Sequence, residues 1–287
     1  MSESGKNRRD RATAAREAAN AGEKRRERIV RIVGAITVLV VVVGIIAVAV
    51  VVKNRSATDA SSGTTANATA DPNAALPATV LSGEDADGFG VPIGDGTADV
   101  PILTIWEDFQ CPACGAVEAA NGAGISQLAE EGKVRLIWRP TTFLDANLGN
   151  DASERAVAAW GCAIDAGKAK EYHDVVFANQ PAVEGAGFSD ETLIGFATEA
   201  GITGAALDSF TTCYNDRTYL SWSANSTAIF YASGVGGTPS ALLNGVQVPS
   251  EVLSDKAALD ALVAETTAGL AAAPAASTAP SASAAAS

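Results

Sequence analysis

The chain reads as an α/β protein: one domain whose sheet-forming segments flank a central block of helices, preceded by one transmembrane helix. Three observations carry that reading. The apolar run Pro101 to Trp106 leads straight into Cys111-Pro112-Ala113-Cys114, a strand giving way to a helix start. From Asn150 to about Tyr231 the apolar spacing is helical throughout, with strand-like runs before and after. Ile32 to Val52 is 21 residues without a charge.

That apolar segment spans roughly 31 Å as a helix, the thickness of a hydrocarbon core. Residues 1–31 hold ten Lys or Arg against five acids, which orients such a segment as a signal anchor with its N-terminus in the cytoplasm. A cleaved signal peptide would have a shorter apolar core behind a shorter start. Everything after Val52 is then extracytoplasmic. From residue 32 onward the chain has 28 Asp and Glu against 10 Lys and Arg, an acidic balance that argues against nucleic acid as a partner. All four cysteines fall in that exported part, where disulfides persist. Residues 53–85, rich in Ala, Thr, Ser, Asp and Asn, read as a flexible tether, and 271–287 as a low-complexity tail. The folded domain is 86–270.

Within it, Phe89, Val91 and Ile93 alternate as a short edge strand ending in a Gly-Asp-Gly turn. Pro101 to Trp106, apolar on both faces, is a central strand. The helix from Cys111 carries Gly122 and Gly124, so it is expected to bend or break there and resume over Ile125 to Glu131. Lys133 to Arg139 is a strand ended by Pro140. A strand, a helix and a strand in this span make a parallel unit. In the helical block, Ala156, Val157, Ala159 and Trp160 form one apolar face, and Tyr172, Val175, Val176 and Phe177 another. Ser189 opens a further helix. Ala241 to Leu243 and Val246 to Val248 pair across Asn244-Gly245, a hairpin signal. Asp255 to Ala268 closes the domain, with Gly269 as its expected stop.

The chemistry resides in Cys111-Pro112-Ala113-Cys114. Two thiols at i and i+3 at a helix start close a small disulfide ring, and the first sulfur sits where backbone amides favour a thiolate, the attacking species in exchange. The competing readings are a static bridge or half of a zinc site, although Cys162 and Cys213 stand singly, without metal spacing. No phosphate-binding glycine loop or dinucleotide fingerprint stands out, so no cofactor or metal is expected.

Three ordered segments make the chain resemble the DsbA-like group of thioredoxin-fold thiol–disulfide oxidoreductases, which carry a helical insertion in mid-domain. They are Asp108-Phe-Gln-Cys-Pro-Ala-Cys114, Tyr172-His-Asp-Val-Val-Phe-Ala-Asn-Gln180, and Gly237-Thr-Pro-Ser240 before Leu243-Asn-Gly245. The resemblance implies that Cys111 is the exposed nucleophile and Cys114 the buried resolving thiol. It also implies that Pro239 is a cis proline opposite them, turning the Thr238 backbone toward the sulfurs to bind an extended substrate. Two positions depart from the pattern. Ala113 stands where many relatives have a His that stabilises the thiolate, so a weaker oxidant is expected. Ile105 stands where many have a buried Glu, leaving Glu107 or Asp108 as candidate proton acceptors for Cys114, or as solvated loop residues. Some relatives carry a second cysteine pair, which makes Cys162–Cys213 a structural disulfide, with a second redox pair as the alternative. His173, the only histidine, falls in the Tyr-His-Asp segment, where it serves packing; it is poorly placed as the base of a Cys–His hydrolase.

The expected function is a membrane-anchored, extracytoplasmic oxidoreductase that introduces disulfides into exported proteins with free cysteines. A membrane, quinone-linked protein would reoxidise it. The rivals are a reductase or isomerase on the same fold, a tethered binding or chaperone-like module with an inert cysteine pair, and a metal-binding protein.

Overall fold

The computed structural model describes residues 69–83, 87–94 and 99–272. The basic segment, the apolar segment 32–52 and the tail from residue 273 lie outside them. Among the described residues no helix is long and apolar enough to cross a membrane.

Five strands form one mixed sheet in the order β1-β3-β2-β4-β5. They are β1 (Val91–Ile93), β2 (Ile102–Glu107), β3 (Arg135–Pro140), β4 (Ser240–Leu243) and β5 (Val246–Val248). β2 runs parallel to β3, with Ile105 opposite Trp138, and antiparallel to β4, with Ile105 opposite Ala241. A strand paired on both sides and covered on both faces must be apolar throughout, and Leu103 and Ile105 are fully buried. The β4–β5 turn is Asn244-Gly245, both at positive φ (50° and 80°), which a two-residue hairpin loop of this type requires. The Asn244 side chain also accepts the Ile102 backbone N–H at 2.8 Å, tying the hairpin to the start of β2.

Between β2 and β3 the chain forms α1 (Pro112–Val117), a π turn (Glu118–Gly122) and α2 (Ala123–Glu130). Of the expected bend or break at Gly122 and Gly124, the break does not occur; the helix is irregular there but continuous, widening into a π turn. A Cβ at Gly122 would strike the Glu118 carboxylate and one at Gly124 the Asn121 amide, so the glycines make room for two inward polar side chains. Asn121 uses that room to donate to the Leu253 carbonyl at 2.8 Å.

The helical block comprises α4 (Ala152–Asp165), α5 (Ala169–Ala178), α6 (Asp190–Glu199), α7 (Ala205–Asn215) and α8 (Leu220–Ala232). A short α3 (Phe143–Leu148), which the sequence pattern does not announce, precedes it. Ser189 caps α6, its hydroxyl accepting the Thr192 N–H at 3.1 Å. Trp106, Trp138, Trp160 and Trp222 are all buried. A disulfide joins Cys162 of α4 to Cys213 of α7.

Two expectations are corrected. Residues 69–83, read as the end of a free tether, lie against the domain: Asn225 of α8 exchanges hydrogen bonds with the Asp71 backbone (2.8 and 2.7 Å), and Leu76 and Val80 pack on the core. The last helix, α10 (Lys256–Ala272), runs through Gly269, which does not take the positive φ of a helix-ending glycine, and the alanines beside it favour helix. It follows a one-turn α9 (Ser250–Leu253).

Candidate active site

Cys111 caps the N-terminus of α1 and Pro112 occupies its first turn, where a missing N–H costs nothing. Three parts of the chain meet there. The first is the loop after β2, whose Asp108 carbonyl accepts the Cys111 N–H at 2.9 Å. The second is the helical block, from which Gln180 donates to the carbonyls of Phe109 and Cys111, both at 2.9 Å. The third is the loop before β4, where the Thr238–Pro239 peptide is cis and the Thr238 carbonyl lies 3.3 Å from Cys111 Sγ. This last contact corrects one expectation: Cys111 is only 7% exposed, because the Thr238 loop lies against its sulfur.

The two thiols are free and chemically unequal. Cys111 is drawn down to about 6, first by the hydrogen bond from the Cys114 thiol, against partial burial, then by the Thr238 side chain and the Cys114 and Ala113 backbone amides. Helix-end amides therefore contribute, but the neighbouring thiol outranks them. Cys114, fully buried, is pushed well above the ordinary thiol range by desolvation, by its bond to Cys111 and by the Glu107 charge. The inequality suits a pair in which one sulfur attacks and the other resolves.

Glu107 and Asp108 are both buried, at 5% and 1% exposure, which removes the solvated-loop reading. Asp108 ties the active-site loop to the helices. Its carboxylate accepts from Ser153 Oγ (2.5 Å) and from the amides of Gln110 (2.9 Å) and Leu144 (3.1 Å), while burial pushes its pKa up to about 7. Gln110 adds bonds to Asp145 and Ser153 at 2.7 and 2.8 Å. Glu107 Oε2 lies 3.0 Å from His173 Nε2, so His173 does more than pack. Its ring stacks on Trp138 at 3.9 Å. Burial works against the imidazolium, yet the carboxylates of Asp174, Glu107 and Glu118 outweigh it and hold its pKa up to about 10.

Glu118 was not singled out in the sequence; the one signal was its place four residues after Cys114, on the same helical face. Burial, then the Glu107 charge, pushes it up to about 8. Glu107, Glu118 and His173 each bring one ligand-type atom within 4.8 Å of the others. The ring nitrogen facing Glu107 is engaged in a hydrogen bond, and an imidazolium has no lone pair to spare, so the trio is an acid–base cluster. The zinc reading of the Cys111–Cys114 pair loses its remaining thiols, since Cys162 and Cys213 are bonded to each other.

Residues 87–264 match the thioredoxin family. The chain belongs to it. Among solved structures it is similar to the MdbA thiol–disulfide oxidoreductase of Actinomyces oris (23% identity, TM-score 0.56, covering 69% of this chain and 96% of that one). It is also similar to oxidised DsbA of Mycobacterium tuberculosis (27% identity, TM-score 0.51, 62% and 92%). A third is the reduced disulfide bond oxidoreductase DsbG of the same organism (26% identity, TM-score 0.51, 64% and 92%). No curated protein matches. The domain thus has the fold of the DsbA-like members of the thioredoxin family, and the protein is a protein thiol–disulfide oxidoreductase.

Proposed function

We propose that this oxidoreductase works in the oxidising direction, introducing disulfides into exported proteins while residues 32–52 hold it to the membrane with its domain on the extracytoplasmic side. The observation that carries the direction is the inequality of the two thiols. A Cys111 drawn down to about 6 stabilises the reduced dithiol form and so makes the disulfide form the stronger oxidant. The apolar segment behind its basic flank supports the anchor and its orientation.

In the proposed cycle a substrate thiolate attacks Cys111 Sγ of the disulfide form, and Cys114 leaves with the electron pair of the broken bond. Cys114 then takes up a proton, for which Glu107 is the nearby buried donor and acceptor. A second substrate thiolate attacks the substrate sulfur of the mixed disulfide and releases Cys111, which departs as a thiolate at neutral pH. Thr238 and Pro239 present backbone beside the sulfur, where an extended substrate segment is held. A membrane protein passing the electrons to a quinone restores the disulfide.

The decisive experiment is Cys114→Ala in cells: substrates should accumulate on Cys111 as mixed disulfides, and recovery of none would sink the exchange reading. The reduction potential decides direction. A value toward about −120 mV supports oxidation, and one near about −270 mV would make the protein a reductase.

A further inference from the structure

The peptide unit joining Phe109 to Gln110 stands immediately before the nucleophile and is held at both ends. Its N–H donates to the Asp108 carboxylate at 2.9 Å, and its carbonyl accepts from Gln180 Nε2 at 2.9 Å. The same nitrogen donates to the Cys111 carbonyl, also at 2.9 Å, so both amide hydrogens of Gln180 have an acceptor. The backbone ladder of α1 begins there, with the Gly115 N–H on the Cys111 carbonyl at 3.2 Å.

Local features of the sequence put Gln180 in this place. α5 ends at Ala178, Pro181 follows as a helix breaker, and the Gln180 N–H turns back onto the Phe177 carbonyl at 3.2 Å. The Phe177 ring packs on Phe109 with centroids 5.1 Å apart, which sets the amide beside the Phe109 carbonyl. Gly115 clears the space, since a Cβ there would lie 2.3 Å from Gln180 Oε1.

We propose that Gln180 is a positioning residue for Cys111: its amide locks the turn that aims the sulfur at the head of α1, and Gly115 admits that amide. This deepens, and rests on, the exchange reading above. Gln180 acts through the two carbonyls. With both engaged, Cys111 keeps its sulfur beside the Ala113 and Cys114 amides and the Cys114 thiol, the groups that favour the thiolate. Without the amide, two carbonyl oxygens next to the nucleophile lose their donor, and the turn is free to carry the sulfur away from the helix end. Both changes disfavour the thiolate.

The test reads the Cys111 thiolate of the reduced full-length protein across its inflection, by iodoacetamide alkylation and by ultraviolet absorbance. The absorbance follows the sulfur apart from Asp108, which titrates near 7. Gln180→Ala should raise the inflection by about one unit, so that alkylation at pH about 6 falls about fivefold. Gly115→Ala keeps the glutamine but drives its amide aside; it should do the same, and serves if Gln180→Ala fails to fold. Combining the two should move the inflection no further, because the new methyl then fills space the amide has left. A merely structural clasp would lower the melting temperature and leave the inflection in place, and that result in folded variants overturns the proposal alone. Shifts that add in the double variant overturn it too. A wild type inert toward oxidised glutathione overturns the exchange reading and, with it, the role given to Gln180.

Discussion

The sulfur of Cys111 and the carbonyl oxygen of Thr238 lie 3.3 Å apart, although 127 positions separate them in the chain. The carbonyl accepts the S–H of the neutral thiol and so favours it. The Thr238 hydroxyl is buried with no hydrogen-bond partner, so it is free to donate to a thiolate and favours it; its side chain is among the groups that draw Cys111 down. The alkylation rate of Cys111 should therefore rise through an inflection near pH 6 and level off above it. Thr238→Val should move that inflection up by about one unit. A wild-type inflection close to 9 would contradict the geometry.

The same inequality sets oxidising power. With Cys111 at about 6 rather than 9.0, the reduced form gains about tenfold in population at neutral pH, about 30 mV in potential. Ala113 leaves room for more: Ala113→His adds a donor beside the thiolate and should raise the potential further, toward stronger oxidation. Equilibration with glutathione reads both, and a lowered potential in the variant would refute the argument.

His173→Phe keeps the ring against Trp138 but removes the cation beside buried Glu107. Unfolding in urea should show a loss of about 3 kcal/mol, the usual cost of a buried charge left unpaired. The sign with pH is fixed. The folded-state pKa, about 10, exceeds the unfolded 6.5, so the histidine's contribution is fully present below pH 6.5 and fades as pH rises through about 10. The gap between wild type and variant should shrink over that window; a constant gap would mean that the histidine acts by packing alone.

Replacing Cys162 and Cys213 together by alanine opens a 51-residue loop and should cost about 4 kcal/mol in the chain-entropy treatment. Because that bridge lies in the helical block, the variant should melt earlier yet still react at Cys111 with the same pH inflection. Loss of the inflection would show the bridge to be coupled to the site.

Much of this was legible in the residues because it is local. A Cys-Pro-Ala-Cys after an apolar strand, an Asn-Gly between two apolar runs and a Ser at a helix start each declare their geometry within a few positions. The misses are long-range. Whether Glu107 and Asp108 face water depends on Ser153, Leu144 and His173, far along the chain. The π turn depends on what Glu118 and Asn121 meet inside, so propensity alone marks Gly122 as a place to bend or break and does not show which. Cys111 was expected in the open, but the loop at Thr238 covers it. Gly269 shows the converse: a helix stop written in the sequence that the helix runs through.

The widened turn at Glu118–Gly122 has a consequence for how this chain tolerates change in length. It holds one residue more than an α-helical turn, and each residue advances a helix by about 100°. Deleting a single residue there would close the wide turn into an ordinary α turn and leave the faces on either side nearly in register, whereas the same deletion within the regular helix on either side would swing one part against the other by that angle. Loss of one amino acid at this point should therefore be milder for the two sulfurs than loss of one in the turns beside it.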